Sequence, residues 1–125
     1  MISEAEKLIQ KAENALQVAK ELLSNRHYSD VVSKAYYVMF YGASALLINN
    51  DIKRSSHAGV ISAFGRFFVK TGKIHPNYHR MLIKAQIDRE TADYDIYKVI
   101  SKEVAEKRVE EAKEFLNEIR KDLTD

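Results

Sequence analysis

Cysteine is absent from the 125 residues. That excludes disulfides, thiolate catalysis and zinc–cysteine sites, and it fits an intracellular, cytoplasmic protein. Proline occurs once and glycine four times, which argues for long helices and few turns. The stretch Met1-Ile2-Ser3-Glu4-Ala5-Glu6 has no basic-then-apolar signal pattern. No apolar run approaches the roughly 20 residues of a membrane span, so no membrane association is expected. Acids are nearly missing from the middle of the chain. Residues 53–89 hold eight Lys or Arg and one acid, Asp88, whereas the segments before and after it are net acidic. Such a basic middle suits an anionic partner such as RNA; it equally suits pairing with the acidic C-terminal helix, within one subunit or between two.

What is present is helical periodicity, and the length suits a single domain over 1–125. Ser3-Glu4-Ala5-Glu6 is a capping box. Ala5, Leu8, Ile9, Ala12, Ala15, Leu16, Ala19, Leu22 and Leu23 follow at spacings of three and four, which predicts a first helix from about Ser3 to Leu23. After a short break, a second helix covers Tyr28 to Asn49. It carries almost no charge from Ala35 to Ile48, so it reads as the central, nearly all-round buried helix. Ser55 or Ser56 caps a third helix ending near Lys70, with Gly72 at the stop. Pro76 opens a fourth that reaches at least Asp88. From Thr91 to Ile100 there is no clear period. Ser101 caps the last helix, whose stripe runs from Val104 to Leu123. The fold class is therefore all-α, an up-and-down bundle of four to five helices.

The densest polar stretch is Asp88-Arg89-Glu90-Thr91-Ala92-Asp93-Tyr94-Asp95-Ile96-Tyr97. Arginine suits phosphate, because its planar fork pairs with phosphate oxygens and stays charged. Asp93 lies four residues beyond Arg89, as a candidate base or as an ordinary ion-pair partner. His57 sits at a helix start among capping serines, either at an anion site or simply packed there. Arg54, Arg66 and Lys84 join it as candidate phosphate contacts in the basic middle. His75 and His79 share the i, i+4 spacing of metal ligands, but no third ligand stands nearby. They read as solvent-facing, and no metal or cofactor is expected. The seven tyrosines read as core and dimer-seam residues rather than base-stacking ones.

Five segments together resemble the HEPN domain family: Tyr28 to Phe40 with its Ala35-Tyr36-Tyr37, Ser56-His57-Ala58-Gly59-Val60, Phe68-Val69-Lys70-Thr71-Gly72, Arg89-Glu90-Thr91-Ala92-Asp93-Tyr94, and Ser101 to Ala105. The resemblance implies a helical bundle that forms a homodimer. It also implies a minimal nucleotidyltransferase antitoxin as partner, and RNA or a nucleotide as ligand. Many members are metal-independent ribonucleases and toxins of toxin–antitoxin pairs. Their signature is an arginine, four to six residues, then a histidine, at a dimer cleft, with a further tyrosine in some. Arg89 matches the arginine. Tyr94 stands where the histidine belongs, and Tyr97 where the further tyrosine would be adenylylated by the partner; the alternative for Tyr97 is packing under the last helix.

Metal-free RNA cleavage needs a base for the 2′-hydroxyl, charge stabilisation on the phosphorane and an acid for the leaving oxygen. Histidine suits the proton steps at neutral pH. A tyrosine, with an ordinary pKa near 10, donates but is a poor base. On an unbroken helix five residues turn by about 140°, so Arg89 and Tyr94 would point apart. Either the helix ends between them or a partner subunit completes the site. The readings are thus a ribonuclease with Arg89, Tyr94 and Asp93 as catalytic candidates, a non-catalytic nucleotide- or RNA-binding dimer, and a structural dimer without ligand.

Overall fold

The computed structural model describes residues 2–124; Met1 and Asp125, the ends of the domain read from the sequence, lie outside the described residues. Five helices follow one another: α1 (Glu4–Ser24), α2 (Tyr28–Asn49), α3 (His57–Phe64, continued by a π-helical turn Gly65–Val69), α4 (Pro76–Tyr94) and α5 (Lys102–Thr124). No strand occurs among the described residues.

The ends of the helices follow from their caps. Ser3 Oγ accepts the Glu6 N–H at 3.1 Å and Ser56 Oγ accepts the Gly59 N–H at 2.9 Å, each satisfying a donor that the first helical turn leaves open. Ser101 does the same for Val104 at 3.1 Å. Gly72 terminates the α3 unit with φ +81°, the left-handed conformation that glycine adopts without strain.

α2 is the hub, and α1, α3, α4 and α5 all pack against it. Val31, Val32, Ala35, Tyr36, Val38, Met39, Ala43 and Ala45 are fully buried. By length and composition α2 could cross a membrane; here the bundle consumes that apolar surface. α1 contributes a row of buried alanines, Ala5, Ala12, Ala15 and Ala19, whose small side chains let the two helices approach closely. Gly42 of α2 likewise lies against Phe115 and Ile119 of α5.

Two sequence expectations change, and a third is extended. α4, expected to reach at least Asp88, runs unbroken to Tyr94, where Asp93 is braced from α2. His79 does not face solvent: its Nε2–H donates to the Ile61 carbonyl at 3.0 Å and its ring stacks on Phe64. A Cβ at position 65 would sit 2.7 Å from that ring, so the close approach of α3 and α4 requires glycine there. Tyr97 does not pack under α5; it is 89% exposed.

Candidate functional site

Two adjacent residues of α4 turn in different directions. Asp88 pairs with Arg108 of α5, and Glu111 takes the same guanidinium at 2.7 Å. Arg108 is 3% exposed, so this is a buried ionic triad joining α4 to α5. Arg89 turns the other way, onto α2. Its Nη1 donates to the Tyr37 hydroxyl at 3.1 Å and lies 3.5 Å from Asp93. Its guanidinium rests over the Tyr36 and Tyr37 rings at 5.3 and 5.6 Å, where the ring faces attract a cation.

This seating fixes the arginine without using all its donors. Among the described residues, Nε is buried with no hydrogen-bond partner and Nη2 enters no hydrogen bond. The side chain as a whole keeps 18% of its surface exposed. It opens onto a shallow groove of about 720 Å³ lined by Arg89, Glu90, Thr91, Tyr94, Ile96 and Tyr97, among others. Arg89 and Tyr94 lie on one unbroken helix and diverge, yet both border this groove. Tyr94 is 77% exposed.

Asp93 is occupied on both oxygens. Oδ1 accepts from Ser33 Oγ at 3.0 Å and Oδ2 faces Arg89. This is the arrangement of a brace that holds the end of α4 against α2, more than that of a free base. Ser33, Tyr36 and Tyr37, at spacings of three and four on α2, supply the seat for Asp93 and Arg89. Nothing in the polar stretch itself pointed to Ser33; the i, i+4 relation to Tyr37 was the available signal. Beyond α4, Asp95 Oδ1 accepts the N–H groups of Tyr97 and Lys98 at 2.9 and 3.2 Å. That local turn displays Tyr97.

His57 opens α3, but its ring turns inward rather than over the helix N-terminus. It stacks on Phe40 at 4.3 Å, and Nδ1 lies 2.7 Å from the Tyr36 hydroxyl. Tyr36 has no other polar partner among the described residues, so its buried proton is satisfied by donating to Nδ1. His57 then carries its own proton on Nε2. Burial, with Arg89 nearby, lowers the His57 pKa and so favours the neutral ring. Burial also pushes the Tyr36 pKa up to about 12, with Arg89 partly offsetting it.

The remaining candidates divide. Arg54 and Arg66 are exposed and converge on Phe67, at 6.0 and 5.2 Å from its ring. Lys84 is exposed on α4, about 140° around the axis from Arg89, and does not line its groove. His75 caps α4 by accepting the Asn77 N–H at 3.0 Å. The tyrosines are also divided: Tyr36 is core, Tyr37 and Tyr41 are half-buried, and Tyr94 and Tyr97 are exposed.

Comparison with known proteins matches residues 5–122 to the HEPN domain family. Two provisionally named toxins of Methanocaldococcus jannaschii are similar. One is 41% identical over 96% of this chain and 89% of its own length; the other is 38% identical over 96% and 82%. A UPF0332 protein of Thermotoga maritima is 34% identical over 99% of this chain and 97% of its own.

Proposed function

The chain belongs to the HEPN family, and from that premise we propose that it is the toxin-type component of a toxin–antitoxin pair that binds RNA or a nucleotide through Arg89. The observation that carries this is the seating of Arg89. Two ring faces, a tyrosine hydroxyl and Asp93 hold the guanidinium, and the residue lines a groove. A pre-positioned fork of this kind engages a phosphate with little loss of side-chain freedom. The toxin naming of two relatives supports the biological class.

The geometry supports binding better than strand scission. A histidine with a free lone pair is what the first proton step needs. His57 presents N–H instead, and Asp93 is engaged on both oxygens. The second reading is a metal-independent endoribonuclease, favoured by Arg89 and Tyr94 bordering one groove. Incubating labelled single-stranded RNA with the protein in EDTA separates the two. Binding without cleavage supports the first; cleavage that disappears in Arg89→Ala supports the second; neither binding nor cleavage contradicts both.

Assembly follows from the apolar surface. Ile83, Ile87 and Tyr94 share one side of α4, and Ile96 and Val99 follow in the next segment of chain; all are exposed, the last two by more than 80%. Exposed apolar surface of this kind marks interaction sites, and a second copy meeting this one there would place two Arg89 grooves near a twofold axis. A small nucleotidyltransferase is the antitoxin this reading implies. Transfer of AMP from ATP to the displayed Tyr97 hydroxyl, with release of pyrophosphate, would add an anion beside Arg89 and exclude RNA.

A further inference from the structure

Residues 52–87 contain no aspartate or glutamate, and their cations include Lys53, Arg54, Arg66 and Lys70. Among the described residues no ion pair engages Arg54 or Arg66. Arg54 donates only to the Lys53 carbonyl, at 2.7 Å. Two unneutralised guanidiniums flanking one half-buried ring is an arrangement that costs self-repulsion unless an anion is recruited. It also offers flat surfaces on which a base can stack.

This patch is connected to the Arg89 groove through an unbroken series of rings. Arg89 rests on Tyr37, Tyr37 meets His57 edge-on at 6.0 Å, and His57 stacks on Phe40 at 4.3 Å. Phe40 then lines a second groove, of about 550 Å³, with Ser44, Lys53, Arg54 and Ser55; Glu4 is the acid on its rim. Arg54 leads to Phe67 and Arg66. Cations thus stand at both ends, and the half-buried rings of Tyr37, His57 and Phe40 lie between them.

We propose that this series is a track for a single strand of RNA, which enters at Arg89, crosses the α2–α3 junction over Tyr37, His57 and Phe40, and leaves between Arg54 and Arg66 against Phe67. Alternating cations and ring faces read the backbone and the exposed π-faces of unpaired bases. A duplex hides those faces, so the ligand class is single-stranded. The proposal rests on the reading of Arg89 as a phosphate contact and extends it to a chain of nucleotides.

Fluorescence anisotropy with a labelled dinucleotide, a single-stranded dodecamer and the matching duplex tests it on the full chain. The dodecamer should bind about tenfold or more tighter than the dinucleotide or the duplex. Phe67→Leu, which preserves apolar bulk, and the double variant Arg54→Ala/Arg66→Ala should each weaken the dodecamer by about tenfold and leave the dinucleotide unchanged. Arg89→Ala should weaken both single-stranded ligands. Thermal melts of each variant establish that it is folded. Unchanged dodecamer affinity in the Phe67 and double variants, with Arg89→Ala still weakening both ligands, removes the track and leaves the Arg89 reading standing. Equal binding of duplex and single strand overturns the track as well. If Arg89→Ala changes neither ligand, or wild type binds none, both readings fall.

Discussion

Arg89 and Tyr36 show how a single side chain sets the behaviour of its neighbours. Tyr36 is fully buried and its pKa is pushed up to about 12. The unfolded chain loses that proton first, near pH 10, so stability is intact below pH 10 and falls as pH rises toward 12. The slope should be about 1.4 kcal/mol per pH unit. Urea titrations from pH 9 to 12 should show it, and Tyr36→Phe should flatten it. On the acid side His57 acts in the opposite sense. Its folded pKa is lowered, so the unfolded chain takes the proton first. Stability contributed by the neutral ring is whole above about pH 6.5 and is lost as pH falls through the lower, folded value. His57→Gln should remove that acid-side dependence in the same titrations. Sequence reasoning found Arg89 and its partner Asp93, because i, i+4 spacing is readable on a helix. It could not find Ser33 or Tyr37 as their seat, because that contact spans more than fifty residues and depends on how α4 lies across α2.

At the scale of the element, α4 shows why boundaries resist reading. Its last turn, Thr91 to Tyr94, has no apolar period, so the sequence set only a lower bound, Asp88, for where the helix ends. It persists because Ser33 and Arg89 hold Asp93 in place. Ser33→Ala, combined with Asp93→Ala, should fray this turn. Amide exchange at residues 91–95 would accelerate while the α2 core stayed protected. α5 hid something more costly. Its stripe reads as apolar, yet Arg108 lies within it at 3% exposure, satisfied by Asp88 and Glu111. Breaking a buried pair by removing one partner strands the others. Arg108→Ala should therefore destabilise the protein by roughly 3–5 kcal/mol in chemical denaturation. Arg108→Met, with similar volume, would strand the same two carboxylates, although Asp88 and Glu111 are more exposed and recover some solvation. By contrast, the central position of α2 was legible outright, since a charge-free run of that length can only be surrounded.

For the whole molecule, a central helix that is charge-free from Ala35 to Ile48 and the four helices around it leave several large apolar side chains exposed, among them Ile83, Ile87, Ile96 and Val99. If two copies meet there, Ile87→Glu should convert a dimer to a monomer in analytical ultracentrifugation while leaving the helical circular dichroism intact. An unchanged sedimentation coefficient would remove that assembly. Among the described residues, Arg89 with Asp93 is the one ion pair in which a cation of the basic middle meets an acid of the flanking segments, and Arg54 and Arg66 enter none. That uneven charge is the basis for expecting RNA. The direct check is the affinity of wild type and Arg89→Ala for one single-stranded RNA across a series of salt concentrations. A guanidinium that contacts phosphate should make the variant about tenfold weaker and reduce the slope of log affinity against log salt by about one. Identical affinities and identical slopes would mean that Arg89 meets no phosphate.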